Sequence, residues 1–451
     1  MLSSDPMKVS HASERSVWKN GGKQMNLHKT VVVLLALLLA AMAMVPMVSA
    51  DISQSNEENK KLIESNFIPV ATAQEHATIT MLSMIHSGAL DENWVGGKIN
   101  PTPQTIYDIN GEKLFYLFTI EKKGARVGEI YAAASKVLGG SVITIGSIET
   151  PDKFTVLRVD TQKNLTEKYP GYQVIAEKKV CFDYPVIGLM LTLKNTKTGD
   201  MKDVIIDSRD GSVKNWETQV SSYYNQISAE DMKKHVAIWE KQSAITEELK
   251  TTALVENPEF LQHYSEMDLS RVKQVMTKVK TSDSNIKALL FQDGQKIISG
   301  LTHCTQYTDV WCGVATAQII STKYMSDPWS QYHIADMMGA YNDDGTPKGT
   351  DMGMELLYYQ PSEDDGGLGK GNSLDIYRPF TTWQAAHDEI EEGRPLKIGR
   401  DTPNNHARAC NGWQVNGGNP YLLFYDPAQY GYIYWEYVAP GSTYNNFIYI
   451  R

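Results

Sequence analysis

The chain has 451 residues, a formal net charge of −10, 21% charged and 10% aromatic residues. This is the composition of a globular protein rather than a disordered one, and the length allows two or three domains. The mildly acidic balance, with no basic stripe interleaved with aromatics, gives no nucleic-acid footprint.

Residues 1–24 are polar and read as an upstream extension. Residues 25–50 read as an export signal: the positive start Met25-Asn-Leu-His28-Lys29, the apolar run Val31 to Val45, and the small-residue site Val48-Ser49-Ala50. The mature chain then starts near Asp51 and is secreted or held at the cell surface. A retained anchor is the rival, but the apolar run is short for a span. Asn164-Leu-Thr166 is a glycosylation sequon.

Residues 51–227 have an α+β pattern. Residues 57–90 are helical in character. Thr105–Asp108 and Lys113–Ile120 flank Asn110-Gly111, a strong hairpin signal. A helix is expected over Gly128–Leu138, stopped by Gly139-Gly140, then a strand at Ser141–Ile148. Further strands are expected at Tyr172–Ala176, Val186–Leu193 and Asp203–Asp207, ending in an Asp210-Gly211 turn. Residues 228–285 form a helical connector. Ser228 can cap it with Asp231 three residues on, Asn257-Pro258 opens a second helix, and Leu269, Val272, Met276 and Val279 make an apolar stripe.

Residues 286–451 carry the chemistry. A helix starts at Cys312, another spans Thr382–Glu392, and strands follow at Pro395–Gly399, Ala407–Val415, Tyr421–Tyr425, Tyr432–Val438 and Asn446–Arg451. The Asp- and Gly-dense segments Asn342–Gly353 and Pro361–Asn372 are expected to be solvated loops, since neither has a calcium-loop spacing. No metal or cofactor site is expected.

Cys312 sits where an extended polar run becomes a helix, and a helix N-terminus favours a thiolate. Gly313 is expected to leave room for a substrate backbone. Gln306, six residues earlier, can donate to an oxyanion with the Cys312 backbone N–H. His406 opens a strand and is the candidate base. Asp426 ends the next strand, so an antiparallel pair brings it beside His406 as the orienter; Asn404 or Asn411 are alternatives. Together these are the parts of a cysteine hydrolase. One pair among Cys181, Cys304 and Cys410 can be disulfide-bonded outside the cell.

Gln306…Cys312-Gly, Glu389–Gly399, His406-Ala-Arg-Ala, Gly412-Trp and Asp426-Pro427 resemble the papain-like cysteine peptidases of the bacteriocin-processing, double-glycine-leader type. The resemblance covers about 290–451. It implies an α+β papain-like domain, with a helical part and an antiparallel sheet, acting on a peptide or protein substrate. Trp311 departs from the family, where an acidic residue is common before the cysteine, and the chain has no transporter segments. Residues 168–217 resemble a small repeat in propeptides of secreted peptidases. That likeness implies a zymogen whose N-terminal half assists folding or blocks the cleft, with an unrelated accessory module as the alternative. Two rival functions use the same residues: a non-catalytic surface protein binding peptide or cell-wall polymer, and a cell-wall amidase.

Overall fold

The computed structural model describes residues 57–147, 165, 168–184, 186–208, 211–214, 220, 222–281, 294–377, 382–400, 406–428, 432–439 and 446–451. The expected extension, export signal, sequon Asn164 and alternative orienter Asn404 lie outside these residues.

Helix α1 (Val70–Ser87) starts after Pro69 and ends at Gly88, whose φ of 79° suits a glycine. Strand β1 (Lys98–Ile99) precedes the hairpin of β2 (Gln104–Asp108) and β3 (Lys113–Lys122), which turns at Asn110-Gly111 with Gly111 at φ 93°. The expected helix over Gly128–Leu138 is instead strand β4 (Ala125–Ala133) and a short 3-10 turn. A two-residue turn at Lys123-Gly124, with φ of 52° and 80°, folds β4 back onto β3. Strand β5 (Val142–Ser147) pairs with its other edge. Pairing on both edges overrides the helical preference of the alanine run. Gly128 also lets the Trp94 ring lie where a Cβ would be only 2.3 Å away.

Strands β6 (Tyr172–Asp183), β7 (Val186–Asn195) and β8 (Met201–Asp207) form an antiparallel meander, which joins β2 through the parallel pair Tyr107↔Val180. Helix α2 (Ala229–Glu256) is capped by Ser228 Oγ, which accepts from Asp231 N at 3.1 Å. In α3 (Leu269–Thr281), Val272 and Met276 are buried.

The C-terminal elements are β9 (Gly294–Ile297), α4 (Cys312–Ser321), α5 (Gln331–Met338), α6 (Met352–Tyr359), β10 (Leu374–Tyr377), α7 (Thr382–Glu391), β11 (Leu396–Arg400), β12 (His406–Asn416), β13 (Asn419–Tyr425), β14 (Ile433–Tyr437) and β15 (Asn446–Tyr449). Helix α6 starts inside the expected loop Asn342–Gly353, because Asp351 in that acidic stretch is its cap and accepts from Met354 N.

The strands form one mixed sheet in the order β10-β15-β11-β12-β13-β14-β5-β4-β3-β2-β6-β7-β8, with β1 on β3 and β9 on β12. Helices pack on it, giving an α+β architecture. The seam between the two halves is β14 on β5, from Ile433↔Ser147 to Glu436↔Thr144. Around that seam, Tyr421, Leu423, Trp435 and Tyr437 share a core with Ala77, Met81 and Met84 of α1. Trp435 Nε1 donates to Ala89 O at 2.9 Å, and Gln414 Nε2 to Ser87 Oγ at 2.7 Å. Separate cores lie under α4–α6 and under α7. All four cysteines of the described region are free thiols, so the expected pair is not formed.

Candidate active site

Helix α4 is preceded at its N-cap by Trp311, which adopts φ −95° and ψ 33° and supplies no side-chain cap. Its indole is buried, edge-on to Tyr332 and Tyr341 at 5.7 and 5.4 Å, and its Nε1 donates to Ala340 O at 3.2 Å. The unusual residue before the cysteine therefore anchors the start of the helix. Ala315 N donates to Trp311 O at 2.9 Å and closes the first turn. Val314, Ala315 and Ala317 behind it are buried, so the helix is fixed in the core. Cys312 lies at its exposed end, half-buried.

Strands β12 and β13 are antiparallel and joined at Gly417-Gly418, whose φ values of 57° and 78° suit a tight two-residue turn. Their register runs from Asn416↔Asn419 to Ala409↔Tyr425, with an irregularity between Cys410 and Gly412. The end of β13 thus meets the start of β12. His406 Nε2 donates to Asp426 Oδ1 at 2.8 Å, with both side chains buried. Asp426 Oδ1 also accepts from Ala428 N at 2.9 Å, and Oδ2 from Tyr434 OH at 3.1 Å. Arg408, two residues after His406 and so on the same strand face, donates to Tyr434 OH at 2.8 Å and to Glu436 Oε2 at 2.5 Å. Sequence reasoning missed Arg408, Tyr434 and Glu436; the period of two along β12 and β14 was the available signal. Asn411 is buried, with Nδ2 donating to Ile298 O at 3.4 Å rather than orienting the imidazole.

The ionisations follow from this packing. Burial alone would push the Cys312 thiol up. The hydrogen bond and charge of His406, with a backbone hydrogen bond from Ala407, outweigh it and hold the thiol below its ordinary value, while the charge of Glu355 acts against them. Burial would lower His406, but the Asp426 carboxylate and the Cys312 sulfur raise it to about 9. Burial would likewise raise Asp426, and His406, Arg408 and the Ala428 N–H hold it well below the carboxylate range. These directions favour a thiolate and an imidazolium side by side. Cys304 and Cys410, by contrast, are pushed up to about 12 by burial.

Gln306 lies in the loop before α4. Its backbone N donates to Pro427 O at 2.9 Å, so the loop rests on the residue after Asp426. His303 Nε2 bonds the Asp426 carbonyl at 2.7 Å from the same loop. Gln331 staples it from α5, accepting from Tyr307 N and donating to Thr305 O, both at 2.8 Å. The Gln306 Nε2 donates to Thr308 O at 2.8 Å. An amide nitrogen carries two hydrogens, so one remains for another acceptor.

Cys312, His406 and Ala407 line a cavity of about 180 Å³ with Thr350, Met352, Glu355, Lys397 and Asn446. The expected space for substrate beside Gly313 is already filled. A Cβ there would meet Thr350 Oγ1 at 2.1 Å and Glu355 Oε1 at 2.3 Å. Glycine at 313 thus admits a carboxylate and a hydroxyl of the protein itself. Gly399 similarly admits the Asn446 side chain. Among the described residues, no group of His, Cys, Asp and Glu is placed to hold a metal ion.

Residues 298–449, about a third of the chain, match the model of the Peptidase_C39 like family. This region is therefore similar to the C39-like peptidases. No curated protein matches the chain.

Proposed function

We propose that the C39-like region makes this chain an exported, papain-like cysteine peptidase that cleaves peptide bonds through Cys312, His406 and Asp426. The observation that carries the reading is the buried His406 imidazole, bonded to Asp426 on one side and to the Cys312 thiol on the other.

The chemistry follows from those contacts. The Cys312 thiolate attacks the scissile carbonyl carbon, and the C=O pair moves to oxygen. The remaining Nε2 hydrogen of Gln306 and the first-turn N–H of Cys312 stabilise that oxyanion, since first-turn groups have no acceptor within the helix. His406 gives its proton to the leaving amine as the C–N bond breaks. A water then loses a proton to His406, attacks the thioester, and releases the acid and the thiolate. Asp426 holds the imidazole ring and its charge throughout.

The N-terminal half is read as an accessory part retained in the working enzyme. The β5·β14 seam and the core shared with α1 support this, and the described residues lining the cavity all lie between Cys312 and Asn446. Export rests on residues 25–50 alone. The test is incubation of the purified protein with a peptide library, with Cys312→Ala as control. Cleavage by the wild type and none by the variant is expected. A variant that still hydrolyses peptides would end the reading.

A further inference from the structure

Glu355 and Lys397 form an ion pair in the wall of the cavity that Cys312 and His406 share. Lys397 Nζ lies 3.0 Å from Glu355 Oε2, and the two side chains are only 5% and 2% exposed. Both are held by further bonds. Thr350 Oγ1 donates to Glu355 Oε1 at 2.8 Å, and Lys397 Nζ donates to Asn446 Oδ1 at 2.9 Å.

Stability is a weak reason for such a pair. Two buried charges typically gain little over an apolar replacement of the same volume. Location is the better reason. Glu355 Oε1 lies against Gly313, the residue after the nucleophile, so closely that any side chain there would collide with it. That carboxylate therefore sits at the first turn of α4, where the helix field attracts negative charge. The Cys312 thiolate uses the same field. Two anions in one turn oppose each other unless a cation neutralises one of them.

Other charged and titratable groups are already committed. His406 is bonded to Asp426, and Arg408 to Glu436. Asp351, on the cavity wall, accepts from Met354 N to cap α6. Tyr377 on the wall is largely exposed, and the buried Tyr359 faces Glu355 with a neutral phenol. Among the described residues, Lys397 is the cation in contact with Glu355.

We infer that Lys397 is a positioning residue for the reactive thiolate: paired with Glu355 beneath Gly313, it cancels a second negative charge beside Cys312 and so lets the thiolate–imidazolium pair form. The inference rests on Cys312 being the nucleophile, and it explains why a glycine follows that cysteine.

The test uses iodoacetamide on the full chain, with alkylation of Cys312 followed by mass spectrometry from pH 5 to 9. Wild type, Lys397→Met, Glu355→Gln and the double variant are compared. An unpaired buried charge of this kind moves a neighbouring ionisation by about one pH unit. Lys397→Met should displace the profile upward, Glu355→Gln downward, and the double variant should return to the wild-type profile. Opposite displacements are not a consequence of loosened packing, which would move both variants the same way. If Lys397→Met does not fold, the downward displacement in Glu355→Gln decides. Single variants that follow the wild-type profile, or move in one direction together, overturn the inference while leaving the peptidase reading intact. A wild-type Cys312 that alkylates no faster than Cys304 removes both.

Discussion

Replacing Asp426 by Asn removes one charge and little else. The amide oxygen can still accept from His406 Nε2 and Ala428 N, which Oδ1 accepts at 2.8 and 2.9 Å. The new NH₂ replaces Oδ2 and faces Tyr434 OH, whose oxygen can accept as well as donate. What is lost is the carboxylate that helps raise His406 from 6.5 to about 9, a gap worth about 3 kcal/mol. The sign is set by which form is active. Protonated His406 stabilises the thiolate and supplies the leaving-group proton, so activity should persist up to about pH 9 and fall above it. Without the Asp426 charge, the fall moves down toward neutral pH. At pH 8 a group titrating at 9 is about nine-tenths protonated, and one returned fully to the ordinary 6.5 about three-hundredths, so kcat/KM should drop by up to roughly thirtyfold. The assay is kcat/KM on a library-derived fluorogenic peptide from pH 5 to 10. His406→Ala should be worse at every pH. An Asp426→Asn profile lying on that of the wild type would refute the electrostatic role given to this carboxylate.

Gly313→Ala should lower both stability and turnover, because its Cβ meets Thr350 Oγ1 and Glu355 Oε1 at 2.1 and 2.3 Å with both partners held in place. Overpacking of this kind costs about 1–3 kcal/mol, and a denaturant midpoint unchanged from wild type would contradict it. Residues 294–451 expressed alone should fail to fold cooperatively. The fragment would expose the β14 edge and the apolar face that α1 covers, including Trp435 and Tyr437. A sigmoidal thermal melt with library cleavage from that fragment would show that the N-terminal half is dispensable.

The parts of the fold set by local chemistry were legible in the sequence. Asn110-Gly111 marks a hairpin because few other dipeptides adopt its turn, and Ser228 with Asp231 marks a helix start. The adjacency of His406 and Asp426 followed from two strands joined by a short link, a geometric inference that needs no distant partner. Long-range pairing was not legible. Nothing within Val142–Ser147 or Ile433–Tyr437 says that they meet, nor that β4 would be pinned between two strands against its own helical preference. The Glu355–Lys397 pair was hidden for a similar reason. Glu355 follows an acidic, glycine-rich stretch that reads as solvated, and Lys397 looks like an outward strand residue until β15 and α6 close over it. From the sequence alone, without that partner, Gly313 reads as room for substrate. Trp311 looked like a departure from the family pattern, and only the rings of Tyr332 and Tyr341 give it a structural reason.

The central claim is that one sulfur is ionised by one imidazole, and competitive alkylation of the native protein at pH 7 measures this directly. Cys312 should react with iodoacetamide at least about a hundredfold faster than Cys304 or Cys410, whose thiols burial pushes up to about 12, and His406→Ala should erase that lead. Equal rates at the three cysteines, or a Cys312 rate indifferent to His406→Ala, would contradict the account.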